Sequence, residues 1–462
     1  MPTIKVVDIT PQSLSGETGL DSEPSVAVNA AQPNELVATA FTPDPMGGPL
    51  APVYVSTDGG DTWVLNSVLP GNNPRSGTGD ISVGFALQGG TLYTGILNGQ
   101  SSALQILRAP DATSADPMTV LVERPREDQP WVVADTVTGN GGATDRVYVG
   151  NNDAAKEPRP ATVDVSGNAA TDPAPAGFVP VQVDRRPNVV HDGPPIRIAV
   201  HPDDTVYAAF ESWTNFDQTS LVVTFDVVVT RDDKGALGAD PFQALKDSAD
   251  SEVGQRVVSG RTVVFNTQAA SLGQERTGAD LSIAVDPTNS ANVYIAWCDN
   301  LGGRAPTDYV LHVQHSTDHG QSWAEARGDL VNGKNPSLAV NSDGLVGLVY
   351  QQLSDNQWTT ALELTSDVWQ TVDKQVLHQA PGDVPPSGGA LPYLGDYIRL
   401  ITVGPDFYGI FAGNNTPDNA NFPVGVTYQR NANFTTHQLL NTDGVTPVDP
   451  SIDPFFFHRA AA

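Results

Sequence analysis

Short apolar, β-branched runs alternate with clusters of Gly, Pro, Asn and Asp along almost the whole chain, and the alternation follows a fixed form. An apolar strand written S-x-A-V is followed by a polar turn and then by a strand written V-Y-x-A. The form occurs seven times: EPSVAVNAAQPNELVATAF from 23, GDISVGFALQGGTLYTGIL from 79, DQPWVVADTVTGNGGATDRVYVG from 128, PPIRIAVHPDDTVYAAF from 194, ADLSIAVDPTNSANVYIAW from 279, NPSLAVNSDGLVGLVY from 335 and LGDYIRLITVGPDFYGIF from 394. Turn residues flanked by strand-forming residues predict a β-hairpin in each copy. A third strand and a fourth follow each hairpin, as in VYVSTDGGDTWVLNSV and LHVQHSTDHGQSW. Four strands repeated around a chain of this length predict an all-β protein in the form of a β-propeller, where radial repetition protects the sheet edges.

The longest spacing between copies comes from an insertion at 232–260, expected outside the blade core. For the last blade, VTYQRNANFTTHQLL is read as supplying the outer strands. Either the N-terminal stretch TIKVVDIT or the tail strand THQLL then closes the ring.

Two turns repeat one another closely, VSTDGGDTW at 55–63 and HSTDHGQSW at 315–323. Ser and Asp side chains can bond the turn's own amides. Gly60 and Gly320 supply the left-handed backbone, and Trp63 and Trp323 provide apolar anchors. Asp58 and Asp318 are therefore read as turn-pinning residues, not catalytic ones.

These S-x-D-x-G-x-[ST]-W turns, with the S-x-A-V hairpins, resemble the Asp-box or bacterial neuraminidase repeats of sialidase-like propellers. The resemblance covers roughly 23–440 and is closest to bacterial sialidase-family proteins, through DQPWVVAD and LGDY. It implies one propeller domain over 1–462 with seven blades, six being the alternative. It also implies a ligand at the mouth of the central channel, where first strands begin and second strands end.

Reading those positions in order collects Glu23, Asp80, Asp128, Arg197, Asp280, Asp396 and Tyr397 at first-strand starts, with Arg399 just beyond. Asn152, Glu211, Trp213, Asp299, Gln351 and Asn414 stand at second-strand ends. Carboxylates around a depression suit acid–base work on a glycosidic bond, calcium coordination or hydrogen bonding to sugar hydroxyls; as strand caps they need do none of these. Trp213 beside Glu211 is a candidate for stacking on a sugar ring, core being the alternative. The sialidase resemblance assigns Tyr397 as nucleophile, Glu211 as its base and Asp80 or Asp128 as acid, with Asp396 beside them. It places Arg197 and Arg399 at the mouth, with Arg126 or Arg304 as a third. The Arg-Ile-Pro motif of true sialidases is missing; IRIAV at 196–200 is the nearest string.

Composition narrows the partners. With 24 basic and 53 acidic residues the formal charge is −29, which repels a phosphate backbone, so nucleic acid is not an expected partner. No apolar run is long enough for a membrane helix. One cysteine, Cys298, allows no internal disulfide, and MPTIKVVDIT lacks the regions of a signal peptide. An extracellular or exported placement is the expectation, with the cytoplasm as alternative. No phosphate loop, H-E-x-x-H or G-x-S-x-G occurs. Calcium is the one candidate cofactor. Two functions stay open: a glycoside hydrolase or lyase acting on glycans at the mouth, and a non-catalytic glycan-binding or surface-interaction propeller.

Overall fold

The first strands stand next to one another in a closed circle, so that Ser22–Val28 touches both Ile81–Phe85 and Arg399–Val403. The others in the circle are Glu127–Gly139, Ile196–Val200, Leu281–Asp286 and Gly333–Val340. The structure, a computed structural model, describes residues 3–41, 53–66, 79–98, 103–139, 142–156, 161–171, 177–187, 189, 196–264, 281–300, 309–385 and 394–461. Each first strand opens a sheet: among the described residues six are antiparallel with four strands, and one has five, the last of them, Thr427–Tyr428, pairing parallel with Ile4–Asp8. The fold is a seven-bladed β-propeller.

The repeated serine has a structural explanation. Its side chain lies beside the next blade's first strand, whose channel-facing N–H groups have no partner in their own sheet. Ser25 Oγ accepts the N–H of Val83 at 3.3 Å, Ser82 that of Val132 at 2.9 Å, Ser282 that of Leu338 at 2.9 Å and Ser337 that of Leu400 at 2.8 Å. A small side chain lets the strands approach, and its oxygen satisfies a buried amide. The apolar residues that follow fill the spaces between blades: Val37 and Val53 pack with Ile81 and Phe85, and Tyr207 and Phe225 with Ile283 and Ile295.

In the seventh blade the N-terminal stretch closes the ring, the first of the two alternatives, while the reading of VTYQRNANFTTHQLL as its outer strands is corrected. Its third strand is Ile452–Arg459, and its fourth is the N-terminal strand Ile4–Asp8, paired antiparallel from Ile4↔Arg459 to Asp8↔Phe455. The tail segment Gln438–Leu440 instead joins a small separate sheet with Ala432–Asn433 and Pro447–Val448. Phe455, Phe456 and Phe457 are all fully buried, so this strand shows no polar alternation for a sequence pattern to detect. The 232–260 insertion is also shorter than expected, because Gln255–Val264 is the fourth strand of the fourth blade.

Both tryptophan turns form as anticipated. Thr62 donates its N–H to Asp58 Oδ1 at 2.9 Å, Gly60 N–H bonds Ser56 Oγ at 2.9 Å, and Trp63 Nε1 donates to Gly60 O at 3.1 Å. Gly60 has φ +87°, and a Cβ there would strike Phe456. A third such turn was not legible: Thr365, Asp367 and Thr371 make the same bonds, with Trp369 N–H on Thr365 Oγ1 at 3.0 Å and Thr371 N–H on Asp367 Oδ1 at 2.8 Å. The glycine that marks the motif is replaced there by Trp369 at φ 59°.

The two tryptophans differ in what they hold. Trp63 is buried and meets Phe456 edge to face at 5.3 Å, bracing the first blade against the seventh; Trp323 is only half-buried. Trp63→Ala is expected to cost about 3–5 kcal/mol and Trp323→Ala markedly less. Chemical unfolding midpoints of the two variants check the order.

Candidate functional site

At the serine position of S-x-A-V, three blades carry something else: Trp131 in the third, Arg197 in the fourth and Arg399 in the seventh. Position on an inner strand sends all three into the channel, where they stack. The guanidinium carbons of Arg197 and Arg399 lie 4.1 and 4.7 Å from the Trp131 ring centroid. Such an arrangement gains from cation–π attraction in a desolvated setting. Arg399 also spans three other blades, donating to Ser25 Oγ (3.0 Å), Val83 O (2.8 Å) and Val132 O (2.8 Å). Burial, then the Arg197 charge, lowers its pKa to about 10, so it stays cationic at neutral pH.

Tyr397 comes to this stack from the turn before Arg399. Its ring meets Trp131 edge-on at 5.7 Å and 88°, with Arg197 at 5.7 Å from its centroid. Its hydroxyl donates to Asp80 Oδ1 at 3.5 Å. Burial first, then Asp80 and Glu23, raises the phenol pKa well above its ordinary value, against the opposing pull of Arg197. Glu23 Oε1 accepts the Asp396 N–H at 3.1 Å. Gly395, of LGDY, permits that contact: it has φ +90°, and a Cβ would sit 2.6 Å from the Glu23 backbone nitrogen. Glu23, Gln129 and Asn335 all have φ near +50° and each precedes a proline, so the same strained bend opens the first, third and sixth blades.

Six of the sequence-derived residues thus gather at one place: Glu23, Asp80, Arg197, Asp396, Tyr397 and Arg399, all buried. Asp128 stands half-buried, its Oδ1 accepting the Gln129 N–H at 2.9 Å. The others serve elsewhere. Asn152 donates to Gln129 Oε1 at 3.5 Å, and Asn414 to Val384 O at 3.1 Å. Gln351 accepts from Asn335 at 2.9 Å and donates to Ala412 O at 2.8 Å, tying the sixth blade to the seventh. Asp280 lies outside the described residues, as does Arg304. Arg126 is exposed, so among the described residues two of the named arginines converge, not three.

Two assignments change. Trp213 is 1 % exposed and belongs to the core between the fourth and fifth blades, stacked with Phe216 at 6.1 Å; it is core, not a sugar platform. Glu211 Oε2 accepts from Trp213 Nε1 at 3.4 Å, whereas the carboxylate bonded to Tyr397 is Asp80. Cys298 is fully buried with Sγ on Gly333 O at 3.4 Å.

Sequence reasoning passed over Trp131 and Glu127. A break in the serine pattern was the available signal for Trp131. Glu127 is buried next to Asp128, and burial, then Asp164 and Asp153, raises its pKa to about 9. For a hard cation, the carboxylates that come together among the described residues are Glu17, Asp21 and Asp453, not those of the mouth.

Asp299 is fully buried beneath His312, accepting from Trp297 Nε1 at 3.2 Å. His312 lies between two carboxylates, Nε2 at 3.1 Å from Asp299 and Nδ1 at 2.7 Å from Asp329. Burial pulls the imidazole pKa down, but Asp299 and Asp329 outweigh it and leave it above the ordinary value. A raised histidine contributes stability that is complete below its unfolded pKa and is lost as pH rises through the folded one. The stability advantage of wild type over His312→Gln should therefore shrink as pH rises from about 6.5; denaturant titrations at pH 6 and pH 9 measure it.

No family model matches the chain, and no curated protein matches it. Among solved structures it is similar to an ulvan lyase of polysaccharide lyase family PL25 bound to -[GlcA(1-4)Rha3S]-. That match has TM-score 0.51 and 10% identity, over 86% of this chain and 92% of the other. A second structure of a PL25 ulvan lyase gives TM-score 0.50 at the same identity and coverage. The α-L-arabinofuranosidase of family GH93 from Fusarium graminearum, complexed with arabinobiose, gives 0.45 at 11% identity, over 81% and 97%. At 10% identity the likeness to the two ulvan lyases is one of fold.

Proposed function

We propose that this protein is a carbohydrate-active propeller that cleaves a glycan at the channel mouth, with Tyr397 as its reacting group. The observation that carries the reading is the meeting of Tyr397, Asp80, Arg197, Asp396 and Glu23 around Trp131, from chain positions that only ring closure brings together. Asp80 is the acceptor for the Tyr397 proton, in the place that the sialidase resemblance gave to Glu211. Arg197, over both aromatic rings, stabilises the phenolate as it forms. The oxygen so activated attacks the anomeric carbon or removes a ring proton. Asp128, half-buried at the rim, donates to the leaving oxygen. Support from outside the chain is limited to fold: the ulvan lyase it resembles was seen with a glucuronic-acid-containing glycan.

The alternative is glycan binding without cleavage. Arg399 favours it, because three of its hydrogen bonds are committed to other blades and the arginine triad by which sialidases hold a carboxylate is not assembled among the described residues. A panel of sialylated, uronic-acid and neutral glycans, read for binding, reducing ends and unsaturated uronate absorbance, tests both. New reducing ends support cleavage, and the unsaturated chromophore identifies elimination. Binding without product supports the second reading, and silence on every glycan ends both.

A further inference from the structure

The strained bend that opens the third and sixth blades comes with an amide partner on the second strand, and the two pairs are not bonded alike. In the third blade the bend residue is Gln129, and Asn152 stands across from Asp128 in the ladder; in the sixth it is Asn335, and Gln351 stands across from Lys334. The two pairs therefore occupy equivalent positions. In the sixth blade the pair is closed. Asn335 Nδ2 donates to Gln351 Oε1 at 2.9 Å and to Gly395 O at 3.0 Å, and Gln351 Nε2 donates to Ala412 O at 2.8 Å and to Thr360 Oγ1 at 3.3 Å. In the first blade the bend residue Glu23 is likewise tied, to the Asp396 N–H.

The third-blade pair is left open. Asn152 Nδ2 reaches Gln129 Oε1 only at 3.5 Å, the outer limit of a hydrogen bond. Asn152 Oδ1 is buried without a partner, in a residue 4 % exposed. Gln129 is 5 % exposed, and its Nε2 bonds no group among the described residues. Turning both amides over exchanges oxygen for nitrogen and leaves the same complement, one open donor and one open acceptor. A buried amide oxygen without a partner is costly, and the sixth blade shows that the fold can close such a pair. The third blade forgoes that closure two residues before Trp131, whose ring carries Arg197 and meets Tyr397.

We propose that Gln129 and Asn152 form a neutral subsite of the channel mouth that reads two adjacent hydroxyls of a glycan residue. One hydroxyl accepts from Gln129 Nε2, and the next donates to Asn152 Oδ1. Each sugar hydroxyl both donates and accepts, so a vicinal diol fills an open donor and an open acceptor together. Asp128, opposite Asn152 in the ladder, adds carboxyl oxygens that take hydroxyl hydrogens and that the carbonyl of a peptide would not suit. A sugar lacking either hydroxyl leaves a buried amide group unpaired and is disfavoured. The subsite rests on the reading of the mouth as a glycan site and adds to it a requirement for a free vicinal diol.

Two measurements on the full chain separate the subsite from the reading beneath it. Thermal melting needs no ligand. Gln351→Met should melt below wild type because it breaks a closed pair, whereas the chemically identical change Gln129→Met should melt close to wild type. A loss in Gln129→Met as large as that in Gln351→Met would make the third-blade pair structural and overturn the proposal. The second measurement takes the tightest-binding glycan of the panel, intact and after periodate cleavage of its vicinal diols with borohydride reduction. Dissociation constants are read in the Tyr397→Phe background, where the glycan is not consumed. Gln129→Met and Asn152→Leu should each weaken binding of the intact glycan about tenfold. The oxidised glycan should bind at least about tenfold more weakly than the intact one and respond to neither substitution. Gln129→Met carries both measurements if the bulk of leucine at 152 prevents folding. Affinity for the intact glycan unchanged in Gln129→Met would overturn the subsite and leave the glycan reading standing; binding of no glycan would overturn both.

Discussion

Tyr397→Phe should reduce turnover of the cleaved glycan by about 100- to 10,000-fold, the range that a positioned proton-transfer group supplies. The substitution removes one oxygen and leaves the ring to meet Trp131 edge-on, so the channel packing should survive. Asp80→Asn should act in the same direction, because an amide cannot take the phenol proton across the 3.5 Å that separates them. If Tyr397 reacts only during cleavage, kcat falls while KM stays near its wild-type value. The double variant should be scarcely worse than either single one, since the two residues act as a unit. Steady-state kinetics on the substrate found by the glycan panel decide the matter. Unchanged turnover in Tyr397→Phe would remove it from the chemistry.

Arg399→Met should be the most damaging single change to the ring itself. The residue is 7 % exposed, and its loss leaves Val83 O and Val132 O without their charged donor, while Ser25 Oγ keeps the Val83 N–H. Leaving a buried acceptor unsatisfied costs about 1–3 kcal/mol. Partial relaxation makes the two non-additive, so an overall loss of about 2–5 kcal/mol is expected. Arg399→Lys should recover little of it, because one ammonium cannot reproduce a planar fork that reaches three blades. Guanidinium unfolding midpoints of the three proteins provide the comparison. A midpoint for Arg399→Met within error of wild type would show that the channel holds together without it.

The two predictions meet at one feature, the departure from serine in the third, fourth and seventh blades. Where serine is kept, the inner strands are linked by one hydroxyl accepting one amide. Where it is replaced, Trp131, Arg197 and Arg399 fill the channel and support Tyr397. A reader of the sequence could have aligned the seven copies at this position and noticed three large residues in a column of serines. Their mutual contact could not have been read, because the three lie as much as 268 residues apart.

Local pattern carried the number of blades, the hairpins and the two tryptophan turns, because each depends on interactions within a few residues: a polar turn, a two-residue period, an aspartate bonding amides of its own turn. It also carried which residues stand at first-strand starts, so Glu23, Asp80, Asp396 and Tyr397 are legible from the repeat register alone. It failed where side chains are buried on every face or where partners are remote. The Phe455–Phe457 strand had no polar alternation to reveal it, and Trp369 occupies a left-handed position that a motif reads only as glycine. Whether Trp213 faces a ligand or a neighbouring blade, whether Tyr397 meets Asp80 or Glu211, and whether Glu17, Asp21 and Asp453 come together were decided by ring closure. Propeller closure fixes the rotation of each blade against the next through packing of whole sheets, and that packing, not spacing along the chain, sets which charges face one another.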